Sequence, residues 1–170
     1  MEEFVVLVTP QDEVIGQMEK LKAHEQGVLH RAFSVFLFDK QNRMLLQKRA
    51  HTKYHSPGEW TNACCSHPRV GETYEQAAKR RLIEELGIET PIEPKFHFLY
   101  KAEVGGNLIE HELDHVFTGL YEGEFDLNKD EVEQVRYLSL EQLDLELQEQ
   151  PENFTPWFKI ILNQYKEHLK

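Results

Sequence analysis

Only two cysteines occur in 170 residues, and they are neighbours, Cys64 and Cys65. Disulfide frameworks use spaced pairs, and a bridge between adjacent cysteines is strained by the geometry of the bond. A zinc finger needs a second ligand pair such as CxxC, and the sequence has none. No apolar run approaches the roughly 20 residues that span a bilayer. The opening "MEEFVVLVTP" has no basic stretch before its apolar run, which does not match a secretory signal. Repeats, low-complexity tracts and linkers rich in Gly, Pro or Ser are absent as well. Basic residues are in deficit, 19 Lys and Arg against 30 Asp and Glu, for a net charge of −11. Such a chain repels nucleic acid and anionic membrane surfaces as a whole. The expectation is one domain over residues 1–170, cytoplasmic, in a compartment that keeps thiols reduced. Each cysteine is then either a packed structural thiol or a reactive one.

The residues that are present alternate between strand and helix signals. "FVVLV" at residues 4–8 reads as a strand closed by Thr9-Pro10. "RAFSVFLF" at 31–38 is apolar at both parities, the mark of a strand covered on both faces. "DKQNR" is a turn, after which 44–50 is expected to return antiparallel. "TYEQAAKRRLIEELG" predicts a helix with a Thr73–Gln76 capping box and Gly87 as its stop. Strands at 96–102 and 108–121 flank the turn "EVGGN", another is expected at 135–138, and Pro156 opens a C-terminal amphipathic helix. This mixture implies a sheet covered by helices on both sides.

Several polar residues fall on faces that should be apolar. In the 73–87 helix, Tyr74, Ala78 and Leu82 form a stripe, and Glu85 lies in its middle with Arg81 one turn earlier. That is either an i,i+4 ion pair or a carboxylate poised for a metal. In "LIEHELDHVF", period two puts Glu110, Glu112 and Asp114 on one strand face, either a solvated edge or a convergent acid set. Two such carboxylates together with His24, His30 and His67 would make an N/O metal site, although spacing alone does not bring them together.

"SHPRVGETYEQAAKRRLIEELGI" resembles a degenerate Nudix box, with Glu72, Arg80, Glu84, Glu85, Gly87 and Ile88 in place. Ser66 stands where the opening glycine belongs, and Arg81 where the first helix glutamate belongs. A Nudix hydrolase of a nucleoside diphosphate derivative is therefore the alternative reading, weakened by Arg81. Those departures, with "WTNACCSHP", "EHE" and "TPW", are similar to the type 1 isopentenyl-diphosphate delta-isomerases from about residue 20 to residue 157.

That resemblance implies an α+β fold, a Nudix-like α/β/α sandwich with a mixed sheet. It implies a tightly bound divalent metal (Mn, Zn or Mg) on His24, His30, His67, Glu110 and Glu112. A Mg on Glu85 would arrive with the substrate diphosphate. Cys65 and Glu112 would carry the proton transfers, with Tyr100 hydrogen-bonded in the acid site. Lys20, Arg49, Lys53, Ser66 and Arg81 would contact substrate, and Trp157 would wall the isoprenyl group. The partner is a small isoprenyl diphosphate, with no nucleic acid or membrane, and the protein a monomer or weak homodimer. Cys64 becomes the packed neighbour of the reactive thiol, and Asp114 has no implied role.

Overall fold

The computed structural model describes residues 3–53 and 55–169. Strand β3 (His30–Phe38) lies at the centre of a mixed sheet. It runs parallel to β8 (Ile109–Leu120) along its whole length, and β8 pairs antiparallel with β7 (Ile92–Glu103). Strand β1 (Phe4–Val8) touches the start of β3 and forms a hairpin with β2 (Val14–Glu19). Strand β4 (Met44–Arg49) pairs with β9 (Val132–Leu138).

The predicted antiparallel return from residues 31–38 to 44–50 is only partly realised. The turn is there, but β3 and β4 share the single registered pair Phe38↔Met44. They then splay apart, and residues 60–66 fill the opening as two short strands. Strand β5 (Trp60–Asn62) pairs with β4, and β6 (Cys64–Ser66) with β3. These three-residue strands, β2 and two of the helices carry too little periodicity to be read from sequence.

Strand parity builds two cores. Phe33, Val35 and Leu37 of β3 pack on one face beneath helix α2 (Tyr74–Leu86). Phe36 and Phe38 pack on the other beneath α4 (Pro156–Tyr165), with α3 (Leu140–Glu149) beside it. The expected cover on both faces is present. Helix α2 has the predicted capping box from Thr73 to Gln76. It ends at Gly87 in a left-handed conformation, where a Cβ would lie 2.8 Å from the Asp126 carbonyl oxygen. A fourth helix, α1 (Lys20–Gln26), sits at the end of the sheet where β3 begins. Glu19 caps it by accepting from the N–H groups of Leu21 and Lys22.

Phe158 is fully buried between Phe36 and Phe154, with ring centroids 6.1 and 5.8 Å away. Phe158→Ala should cost about 3–5 kcal/mol in chemical denaturation. Ile83→Ala, on the exposed side of α2, should stay within about 0.5 kcal/mol. Comparable losses would show that the α4 core is not the one that holds the sheet.

Candidate active site and metal centre

The pocket lies where β3 and β4 separate, and it gathers residues from eight helices and strands and from the loops between them. Lys20, Arg49, Lys53, Ser66, Arg81 and Trp157 all line it, as do Cys65, His67, Tyr100, Glu85, Glu110 and Glu112. His24 and His30 stand behind it, fully buried. Register explains the closest approaches. His30 and Glu112 are neighbours across the parallel β3–β8 pair, and Tyr100 lies opposite Glu112 across β7–β8. His24 arrives on α1, which Gly27 stops in a left-handed conformation. His67 follows β6 directly.

The histidines and carboxylates converge as a donor set. His24 Nδ1 and His30 Nδ1 each lie 2.8 Å from a backbone carbonyl, of Lys20 and Val28. Those carbonyls fix the hydrogen on Nδ1, so each Nε2 presents a lone pair. Yet His30 Nε2 is 3.1 Å from Glu112 Oε2, and His67 Nε2 is 2.8 Å from the same oxygen. An imidazole lone pair therefore faces a carboxylate oxygen with no hydrogen between them, which a cation would resolve. The nearest ligand atoms of His24, His30, His67 and Glu112 all lie within 4.8 Å of one another. Bonds of about 2.1 Å to one ion bring its ligands to such separations. Glu110 adjoins this group, its Oε2 3.9 Å from His24 Nε2. The residues thus fit a divalent metal held through nitrogen and oxygen.

Electrostatics agree. Burial and the adjacent Glu112 charge push Glu110 well above the usual carboxylate range. Burial acts against the charge on Glu112 as well, so with lone pairs facing it that charge also calls for a cation. Burial drives His67 down to about 4 against the pull of Glu112, so the imidazole is neutral at physiological pH. The single hydroxyl hydrogen of Tyr100 faces both acids, 2.9 Å from Glu110 Oε1 and 2.6 Å from Glu112 Oε1.

The two cysteines part on β6. Cys64 is fully buried in the α2 core and donates to Glu85 Oε2 at 3.4 Å. Cys65 points to the other face, where Trp157 Nε1 donates to its sulfur at 3.0 Å. Burial and Asp114 raise the Cys65 thiol far above its ordinary range, so it is protonated at neutral pH. Trp157 is itself buried, with the Arg49 guanidinium 5.2 Å above its ring. Its contact with Cys65 is through the indole N–H and not the π face.

Every expected substrate cation has a partner already. Lys20 pairs with Glu3 at 2.9 Å, and Lys53 with Glu131 at 2.6 Å. Arg81 Nη2 lies 2.9 Å from Glu85 and 3.4 Å from Glu131, so the predicted Arg81–Glu85 pair is formed. Glu85 also accepts from Gln47 at 3.0 Å while lining the pocket. Sequence reasoning missed Glu131, which bridges two cations from a loop without periodicity. It also missed His55, whose Nε2 is 4.0 Å from Glu110 and which forms a second candidate ligand group with His24 and Glu110. Burial and Arg49 hold His55 down to about 2. Asp114 accepts from Ser34 at 2.8 Å, and burial with the Glu112 charge pushes it well above the usual carboxylate range.

The description of the NUDIX domain matches residues 28–158. A MutT NUDIX hydrolase from Burkholderia pseudomallei shares the fold, with a TM-score of 0.61 at 21% identity over 81% of this chain and 98% of that one. The chain belongs to the NUDIX superfamily and, within it, to the isopentenyl-diphosphate delta-isomerase family. Isopentenyl-diphosphate Delta-isomerase 2 of Photorhabdus laumondii is 49% identical over 96% of this chain and 92% of its own. Isopentenyl-diphosphate Delta-isomerase of Serratia proteamaculans is 47% identical over 95% and 90%.

Metal binding should show in stability and in its pH dependence. Glu110 binds its proton more tightly folded than unfolded, so without metal its contribution is complete below the ordinary carboxylate pKa. That contribution is lost as pH rises through its raised folded value. A cation replaces the proton, so the metal-induced rise in Tm should be larger near pH 7.5 than near pH 5.5. Thermal unfolding of chelated protein with Mn, Zn or Mg restored measures this. A Tm that ignores metal at both pH values would remove the ligand assignment.

Proposed function

We propose that the chain interconverts isopentenyl and dimethylallyl diphosphate, with Cys65 and Glu112 as the proton-transfer pair. What carries the reading is one buried pocket that presents a protonated thiol, a carboxylate held among histidines, and cations for a diphosphate.

The chemistry requires one proton in and one proton out. The terminal alkene carbon takes a proton and its π electrons form the new C–H bond, leaving a tertiary cation. A proton then leaves the carbon next to the one bearing the diphosphate, and its C–H electrons form the new double bond. A thiol and a carboxylate hold one acidic proton between them, which matches this balance, and reversibility makes them exchange roles. A divalent ion on His24, His30, His67, Glu110 and Glu112 would offset the acids' charge and keep Glu112 in place. Tyr100 orients both carboxylates through its hydroxyl.

The diphosphate is a handle that remains intact. Lys20, Arg49, Lys53, Ser66 and Arg81 surround its place, and Glu85 would hold the Mg that accompanies it, an ion suited to oxygen ligands and phosphates. Burial of Trp157 keeps water from the tertiary cation. Arg81 argues against hydrolysis, since it occupies a carboxylate position of the Nudix box and pairs with both remaining helix acids, Glu84 and Glu85. Among the described residues no helix is long and apolar enough to cross a membrane. The pocket is complete within one chain, in keeping with a monomer or weak homodimer in the cytoplasm.

Purified protein given isopentenyl diphosphate in D₂O should place deuterium in the methyl group of the product by NMR. Release of phosphate from nucleoside diphosphate derivatives, without that exchange, would favour the hydrolase. Cys65→Ala should abolish exchange, whereas Cys64→Ala should retain it with some loss of stability. An active Cys65→Ala protein would mean the wrong thiol was chosen.

Trp157→Phe keeps the ring but loses the N–H on Cys65, and Trp157→Leu loses both. Turnover should fall in that order at matched thermal stability. Equal turnover in the two variants would leave Trp157 as a plain apolar cover.

A further inference from the structure

Three residues of the motifs "WTNACCSHP" and "TPW" have no task in this chemistry: Thr61, Asn62 and Thr155. All are buried, Asn62 and Thr155 completely. They form one chain of hydrogen bonds that ends on the Cys65 thiol. Thr155 Oγ1 donates to Thr61 Oγ1 at 3.0 Å, and Thr61 Oγ1 donates to Asn62 Oδ1 at 2.9 Å. Cys65 Sγ donates to the same Oδ1 at 3.1 Å.

The direction of this chain is forced. Asn62 Nδ2 donates to the carbonyls of Val35 and Cys64, both at 2.9 Å. A flipped amide would set Oδ1 against two carbonyl oxygens and leave them without a donor, so Oδ1 must face the thiol. On the other side of the sulfur stands the indole N–H of Trp157, 3.0 Å away, which can only donate. The sulfur accepts there, and its own hydrogen is left to Asn62.

We propose that Asn62, backed by Thr61 and Thr155, is a positioning residue for Cys65, seating the thiol hydrogen on Oδ1 between turnovers. The proposal rests on the isomerase reading above. A thiol hydrogen otherwise rotates among three staggered positions about Cβ–Sγ. Here Oδ1 at 3.1 Å is its nearest seat, well inside the 3.8 Å to Thr61 Oγ1, whose own hydrogen is already on Oδ1, and one rotation connects that seat to the substrate carbon. Asn62 does not line the pocket, so the resting hydrogen is also turned from the cavity. A purely structural network would be equally well satisfied, but it would set stability alone and leave the thiol and the chemical step unchanged.

The test uses metal-loaded protein, and its first measurement is the S–H stretching band of the wild type. Cys65→Ala identifies the band by difference, separating it from that of Cys64. It should lie at the lowered frequency of a hydrogen-bonded thiol, and a free-thiol frequency overturns the proposal. Asn62→Ala should raise that frequency and lower kcat roughly 10–100-fold, with KM changed by less than about threefold because the diphosphate contacts remain. A folded Asn62→Ala protein with full kcat, or with an unmoved band, overturns it. If that variant does not fold, Thr61→Val keeps the shape and removes the donor to Oδ1, and unchanged kcat there is the overturning result. Failure of the wild type to isomerise would sink the reading of function instead, while the band still reports whether Asn62 holds the thiol.

Discussion

Glu110 and Glu112 lie on the same face of one strand, each only 4% exposed, and the fold around them meets the cost of that placement. Two neighbouring carboxylates cannot both ionise in a low-dielectric interior without compensating cations or donors. Three imidazoles close in from α1, β3 and the end of β6, and one tyrosine hydroxyl closes in from β7. Nitrogen and oxygen ligand atoms converge there within 4.8 Å of one another, a set that suits a divalent cation. The site is thus costly for the apo protein and favourable for a metal-bound one. It also explains why a seven-residue helix is kept at the sheet's end: α1 delivers His24, and Gly27 stops it against Ile109 of β8.

Strand parity then distributes function. Even-numbered Glu110, Glu112 and Val116 of β8 face the histidine cluster and the α4 core, while odd-numbered Leu113 and Phe117 face other apolar groups. The same alternation on β6 sends Cys64 and Cys65 to opposite sides of the sheet. Two chemically identical neighbours acquire unlike surroundings, a sealed core for one and a polar pocket wall for the other. The splay of β3 from β4 makes that wall, because β5 and β6 enter only where the two central strands have parted.

Much of this was legible in the chain, for reasons that can be named. Helix α2 is long and carries its own start and stop chemistry, so its limits and the inward turn of Glu85 could be read from spacing. The same held for β8, where period two placed three acids on one face. Other features depended on distance in sequence. His55 lies in a loop without periodicity, Glu131 meets Lys53 across 78 positions, and Asn62 sits in a strand of three residues. The roles of Trp157 and Arg49 were expected separately, while their stacking on each other follows from how α4 begins. Thr155 N–H donates to the Trp60 carbonyl at 3.0 Å, tying that helix to β5 and so setting Trp157 against Cys65.

A protein of net charge −11 must still accept a polyanion, and the pocket wall shows how. Three of its cations are held by carboxylates that share the wall, Lys20 by Glu3 and both Lys53 and Arg81 by Glu131, while Arg49 rests on the His55 carbonyl and the Trp157 ring. These pairs fix long flexible side chains in place before substrate arrives, which lowers the ordering entropy left for binding. Partly exposed pairs of this kind contribute little stability of their own, so a diphosphate of higher charge can share or replace them at small cost. Arg81 holds Glu85 as well, the acid that would bind Mg, so one guanidinium ties that acid to the Glu131 that also holds Lys53. Charge that is unfavourable over the whole surface is thereby turned, in this one cleft, into a lattice of prearranged cations.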